Sequence, residues 1–385
     1  MSVTAPRGFR AAGIAAGIKA NGVPDLALVV NDGPRQAAAG VFTRNQVKAA
    51  PVLWSAQVLT SRRLRAVVLN SGGANACTGP GGFQDTHATA ERVAKALDCG
   101  AVEVAVCSTG LIGERLPLDA VLSGVDTAAA VLAATPEAGL AAATAVLTTD
   151  TLPKQAAVTG AGWTVGGFAK GAGMVAPSLA TMLSVLSTDA VVDESTLDEV
   201  LRVATVETFE RLDIDGGCST NDTVLLLASG ASGVTPDAGQ FATAVRQVCH
   251  TLVRGLQADA EGVTKEITIT VRGAASDVDA LAAARAVARD TLVKTAFFGS
   301  DPNWGRIAAA VGASPAAVQA DALDIRINDV LLCRGGAVAA DRASANLSGR
   351  DITVEIELHL GGGAATVLTT DLSHGYVDEN SAYPS

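Results

Sequence analysis

The chain has 385 residues, 49 % of them apolar and 17 % charged, with a formal net charge of −11. That balance describes a globular chain with room for two or three domains and excludes a disordered one. The acidic excess argues against a nucleic-acid partner or a polybasic membrane surface.

Aromatics are only 3 % of the residues, so the core must rest on Ala, Val and Leu. The six cysteines (Cys77, Cys99, Cys107, Cys218, Cys249, Cys333) contain no C-x-x-C pair. They read as reduced thiols of a cytoplasmic protein, not as a disulfide framework or a zinc site. The four histidines are isolated, so no metal-ligand spacing emerges and no metal is expected. Near the start, glycines and Lys19 dilute the run Ala11 to Ile18, which leaves neither a signal peptide nor a membrane span.

In chain order, Leu26 to Val30 and Ala39 to Phe42 read as strands around an Asn31-Asp32-Gly33-Pro34 turn. Arg65 to Leu69 is a third strand. It runs into a loop of small residues from Asn70 to Gly79, where backbone can approach a ligand closely. Thr86 to Leu97 reads as a helix. Val102 to Cys107 is a strand that ends in Ser108-Thr109-Gly110. A hydroxyl and a glycine N–H at that place suit an oxyanion, although the pair taken alone is only a turn. Ala-rich helices follow over Pro117 to Ala134 and Pro136 to Val146, then Thr148-Thr149-Asp150-Thr151. Ala157 to Val165 leads into a loop that dominates the chain.

That loop is Lys170-Gly171-Ala172-Gly173-Met174-Val175-Ala176-Pro177-Ser178-Leu179-Ala180-Thr181. The apolar run Thr181 to Leu186 after it reads as a buried strand. A hydroxyl opening such a strand, behind a small residue and a flexible loop, can act as a self-cleaving nucleophile. The Thr181 hydroxyl attacks the Ala180 carbonyl, and hydrolysis of the ester leaves Thr181 as a new chain start. Its α-amino group can then serve as general base. Two plainer readings compete. A threonine at a strand start is ordinarily just a β-branched residue. Gly171-x-Gly173-x-x-Ala176 also fits a dinucleotide fingerprint, but Gly166-Gly167 interrupt the preceding run and no helix follows.

Beyond the loop, Ser195 to Phe209 and Ala242 to Asp259 read as helices and Val224 to Leu227 as a strand. Asp213 to Thr223 is a polar loop expected near the active site, with Asn221 or Asp222 orienting the base. Glu261-Gly262-Val263-Thr264-Lys265 follows, then a strand over Glu266 to Arg272 and a helix capped by Ser276. Short strands over 322–327, 352–358 and 365–369 suggest a separate small α/β unit. The polar end, Asn380 to Ser385, reads by itself as a frayed tail.

The stretch Lys170 to Leu183 resembles the signature of the glutamate N-acetyltransferases, or ornithine acetyltransferases, of arginine biosynthesis (the ArgJ family). Further similarity runs from Gly8 to Ser385. The resemblance implies an α+β, layered N-terminal-nucleophile architecture of the ornithine acetyltransferase and DmpA type, with a smaller C-terminal α/β domain over about 276–385. It implies self-cleavage between Ala180 and Thr181 into an α chain, 1–180, and a β chain, 181–385, assembled as an α2β2 heterotetramer in the cytoplasm. The activity it implies is acetyl transfer from N2-acetylornithine to glutamate through acetyl-Thr181. No cofactor is implied, and acetyl-CoA stays open as a co-substrate. Thr109 and Gly110 would form the oxyanion hole. Thr148 (with Thr149 as alternative), Lys170, Thr181, Glu261, Asn380 and Ser385 would bind substrate, Lys170 pairing with a carboxylate and Glu261 with an ammonium. The runner-up is a self-processing amidase or aminopeptidase of the related fold, which passes the acyl group to water. A non-catalytic binding module is a third reading.

Overall fold

The computed structural model describes residues 2–176 and 182–382, so the expectations for Ala180, Thr181 and Ser385 lie outside the described residues. It divides into two compact units, one of Met1–Glu210 and Cys218–Leu256, the other of Arg211–Gly217 and Gln257–Pro384.

The first unit contains β1 (Phe9–Ile14), β2 (Leu26–Asn31), β3 (Ala37–Phe42), α1 (Ala50–Val58), β4 (Ala66–Asn70), α2 (Gly79–Leu97), β5 (Val104–Ser108), α3 (Leu118–Ala130) and α4 (Pro136–Ala145). It continues with β6 (Lys154–Thr159), β7 (Thr164–Lys170), β8 (Leu183–Thr188), α5 (Glu194–Glu207), β9 (Thr223–Ala228) and α6 (Ala238–Ala258). The strands form two sheets, ordered β1-β2-β4-β5 and β3-β9-β8-β7-β6. One buried cluster draws on both, with Phe9, Leu28, Val67 and Val106 from the first and Phe168, Val185 and Leu225 from the second.

The parallel neighbours β8 and β9 are buried along their whole length. Burial on both faces is why they read as nearly unbroken apolar runs. The hydroxyls inside β8 are satisfied by main chain, Ser184 Oγ donating to the Phe168 carbonyl at 2.9 Å and Ser187 Oγ to that of Val3 at 2.7 Å. The strand starts at Leu183 and extends to Thr188, two residues later than the apolar run suggested.

Two expectations are corrected here. Gly166 and Gly167 do not interrupt β7, which passes through both to Lys170. Their smallness is a packing demand, since a Cβ at 166 would lie 2.3 Å from the Ser2 carbonyl oxygen and one at 167 would lie 2.8 Å from that of Val185. The dinucleotide reading still fails, because residues 171–176 form an irregular loop where a helix would be needed. In addition, α2 starts at Gly79 and not at Thr86, with Pro80 in its first turn. Proline costs nothing there, because its missing N–H would be unpaired anyway.

The second unit contains β10 (Glu266–Ala274), α7 (Asp277–Arg289), α8 (Thr291–Phe298), α9 (Trp304–Gly312), β11 (Asp324–Ile327), β12 (Val330–Arg334), β13 (Ala337–Val338), β14 (Asp351–Glu357), β15 (Gly363–Thr370) and α10 (His374–Ala382). Its sheet runs β13-β12-β11-β14-β10-β15. Ser276 caps α7 by accepting from the Asp279 amide at 3.2 Å. The small-residue face of α7 (Ala280, Ala283, Ala284, Val287) is buried. Because β10 pairs with both β14 and β15, this unit begins at Gln257, ahead of the boundary near 276 read from the sequence. Residues 211–217 also join it. The Asp213 amide donates to the Leu368 carbonyl at 2.8 Å, and Arg289 Nε donates to Asp213 Oδ2 at 2.7 Å. The polar loop 213–223 is therefore shared between units. Among the described residues no helix is long and apolar enough to cross a membrane.

Candidate active site

In the first unit, parallel β4 and β5 are connected through α2. Ligands of such units gather beyond the carboxyl ends of the strands. Here those ends are Asn70 and Ser108, and their loops are stitched together. Ser108 Oγ donates to Asn70 Oδ1 at 2.6 Å, Asn70 Nδ2 to the Gly73 carbonyl at 3.0 Å, and the Thr109 amide to the Asn70 carbonyl at 3.0 Å. A third loop joins them through Asn221 Nδ2, which donates to the carbonyls of Ala74 at 2.6 Å and Ser108 at 2.8 Å.

Gly110 sits at φ +123°, and a Cβ there would lie 2.6 Å from the Gly73 nitrogen. Both the backbone angle and the space demand glycine. Gly110→Ala is expected to destabilise the unit by about 1–3 kcal/mol from strain alone. It should also part the two loops. Denaturant unfolding measures the first effect, and an unchanged midpoint would contradict it.

Lys170, the last residue of β7, is only 1 % exposed. Its ammonium Nζ donates to Thr109 Oγ1 at 3.0 Å and to Thr148 Oγ1 at 3.0 Å. Three segments far apart in sequence therefore meet at one buried cation. Of the two threonines left open by the sequence, Thr148 is the one that turns its hydroxyl to Lys170. Burial lowers the Lys170 pKa, Asp150 and Asp222 work against that shift, and Lys154 and Lys19 add to it.

Asp150 lies beneath this pair. Its Oδ1 accepts from Lys154 Nζ at 2.5 Å and from the Gly171 amide at 2.6 Å, and its Oδ2 accepts from the Thr148 amide at 3.2 Å. Burial pushes its carboxyl up, but Lys170, Lys154 and the Gly171 amide outweigh that and hold it below the usual range. Asp150 is therefore a carboxylate.

Asp222, fully buried just before β9, behaves oppositely. Burial raises its pKa well above the usual range, only partly countered by the Met182 amide, the Ser219 hydroxyl, Lys170 and the Thr43 hydroxyl. Its Oδ1 accepts from that amide at 3.1 Å, and the Met182 carbonyl accepts from the Thr223 amide at 3.0 Å. Its Oδ2 meets no donor among the described residues. The backbone one residue after Thr181 is thus held from both sides.

In the second unit, Asn380 Nδ2 donates to Glu261 Oε2 at 2.8 Å. The chain reaches Glu261 because it is helical (α10) as far as Ala382, which corrects the frayed reading for the described part of the tail. Gly262, at φ +60°, lies so close to α10 that a Cβ would fall 2.0 Å from the Tyr376 nitrogen. Ser373 Oγ donates to the Gly262 carbonyl.

The structure thus joins Thr109, Thr148 and Lys170 in one unit and Glu261 with Asn380 in the other. Sequence reading passed over Asp150 and Lys154, although the Thr-Thr-Asp segment was in view. An acid four residues before a lysine, between two apolar elements, was the available signal. Thiols are poor alternatives to a hydroxyl nucleophile here, since burial raises Cys107 and Cys249 to about 12.

A family model described as the ArgJ family matches residues 10–385. The protein of Mycolicibacterium paratuberculosis named arginine biosynthesis bifunctional protein ArgJ is 64 % identical over 389 residues, covering 100 % of this chain and 96 % of that one. Its namesake from Thermobifida fusca is 59 % identical over 383 residues, covering 100 % of both chains. Among solved structures, an ornithine acetyltransferase complexed with ornithine from Mycobacterium tuberculosis is 67 % identical. It matches 46 % of this chain and 95 % of that chain at a TM-score of 0.46. Similarity at this level along the whole sequence shows that the chain belongs to the ArgJ family.

Proposed function

We propose that this chain transfers an acetyl group from N2-acetylornithine to glutamate through an ester on Thr181. It is an acyltransferase of arginine biosynthesis. The observation that carries the reading is the buried Lys170 ammonium, which donates to the hydroxyls of both Thr109 and Thr148. A lysine has donors only, so each hydroxyl accepts from it and keeps its own hydrogen to give elsewhere. The Thr109 O–H and the Gly110 N–H then serve the tetrahedral oxygen of acyl transfer.

Thr181 Oγ attacks the Ala180 carbonyl, the Ala180–Thr181 C–N bond breaks, and the proton leaving Oγ ends on the freed nitrogen. Water hydrolyses the resulting ester. In catalysis the amine takes the Oγ proton, Thr181 receives the acetyl group, ornithine leaves, and glutamate accepts the acetyl on its own nitrogen. Donor and acceptor share an α-amino-acid head, so one pocket serves both in turn. Lys170 and Thr148 suit its carboxylate. In the second unit Glu261 suits an ammonium, and the resemblance implies substrate contacts from Asn380 and Ser385. The scheme calls for no cofactor, and acetyl-CoA is an alternative donor. The processed chains form an α2β2 assembly in the cytoplasm.

The test is an assay with N2-acetylornithine and glutamate. Ornithine and N-acetylglutamate should form in equal amounts by ping-pong kinetics. Ornithine released with free acetate, whether or not glutamate is present, would instead mark a hydrolase.

A further inference from the structure

We propose that Asp150 and Lys154 are positioning residues that set the charge of Lys170 and with it the binding of the substrate carboxylate. The proposal rests on the acetyltransferase reading for the substrate, while its electrostatic half stands on this unit alone.

The hydrogen-bond partners of Lys170 at 3.0 Å are two neutral hydroxyls, and it is buried. Buried cations are normally paired. The nearby carboxylate, Asp150, is committed to Lys154 at 2.5 Å and to two backbone amides. The groups that face Lys170 are Asp150, Lys154, Asp222 and Lys19. Lys19, half-buried, is occupied with the Leu147 carbonyl at 2.6 Å. Burial raises the pKa of Asp222 well above the usual range, which weakens the support it can give Lys170. Lys19 also faces Asp25. Lys170 thus meets hydroxyls at hydrogen-bond distance while the Asp150 carboxylate is engaged elsewhere, an arrangement that suits a carboxylate ligand.

The same hydrogen bonds orient the pocket. Asp150 holds the backbone of Thr148, whose hydroxyl meets Lys170, and the backbone of Gly171, the next residue after it. One carboxylate therefore aligns both sides of the cation and favours its charged form. Lys154 restrains that effect by sharing the carboxylate and by repelling Lys170.

The two residues should act on Lys170 in opposite directions. Asp150→Asn removes the favourable charge, so Lys170 should lose its proton at a lower pH. Lys154→Met removes a repelling charge, so Lys170 should keep its proton to a higher pH. Each shift is expected to be about one pH unit, tenfold in proton affinity. A loss of structure would not produce shifts of opposite sign.

The direct readout is NMR titration of lysine side-chain resonances in the intact protein. There are seven lysines, and the signal of Lys170 is identified by its absence in Lys170→Met. The kinetic readout is KM for glutamate against pH. KM should climb with rising pH as Lys170 deprotonates, earlier in Asp150→Asn and later in Lys154→Met. If Asp150→Asn does not fold, Lys154→Met decides alone by the direction of its shift. Titrations that coincide with wild type, or that move the same way in both variants, overturn the proposal. A wild type that fails to acetylate glutamate overturns the functional reading instead, and the NMR arm then still tests the charge coupling.

Discussion

Thr181→Ala is expected to remain one uncleaved chain and to lose acetyl transfer altogether, whereas wild type should separate into fragments 1–180 and 181–385 under denaturing mass spectrometry. The reason is chemical. Alanine offers no hydroxyl to attack the Ala180 carbonyl, so neither the ester that leads to cleavage nor the acetyl ester of catalysis can form. Folding should be spared. The sheet around this point is anchored on its own account, with Met182 held by Asp222 and Thr223 and with β8 paired to both β7 and β9. A melting curve close to that of wild type would separate lost chemistry from lost structure. Brief incubation of wild type with N2-acetylornithine alone should add one acetyl group to the fragment that begins at Thr181. An active wild type that stays in one piece, or a label on the other fragment, would falsify the mechanism.

Thr109→Ala should lower kcat by about a hundred- to a thousandfold, the usual cost of one oxyanion donor. The structure adds a second consequence. Thr109 is also one of two hydroxyls that accept from Lys170 among the described residues, so its loss leaves Thr148 as the remaining one of the pair. Desolvation then weighs more heavily and the lysine becomes harder to keep charged. KM should therefore rise several-fold, and more so at alkaline pH, beside the larger fall in kcat. Thr109→Ser keeps the hydroxyl and should recover most of both. Steady-state kinetics of the two variants across pH check this, and a normal kcat for Thr109→Ala would remove the side chain from the oxyanion hole.

The fold class was legible because it depends on local pattern. The apolar runs that became β2, β4 and β9 are short, β-rich and bounded by turn residues, and burial on two faces makes such runs continuous. Helix caps such as Ser276 were equally readable, since a cap needs only its own first turn. Boundaries were less so where glycine served packing. Gly166 and Gly167 looked like a break and are part of β7, because what excludes a side chain there is backbone from Ser2 and Val185. Gly79 and Pro80 looked like loop and open α2.

By itself, then, the sequence determined the strands and the small-residue loops and, through the resemblance, named Thr109, Thr148, Lys170, Glu261 and Asn380 as candidates. What only the tertiary structure decided is how they are wired. Lys170 meets Thr109 and Thr148 across separations of 61 and 22 residues, which depend on which strands pair and where they end. Asp150 and Asp222 are the same side chain in the sequence, yet folding lowers the pKa of one and raises that of the other. Two lysines and two backbone amides hold the first down, whereas at the second burial outweighs the Met182 amide, the Ser219 and Thr43 hydroxyls and the Lys170 charge. Charge state is a property of surroundings, and surroundings exist only once the chain has folded.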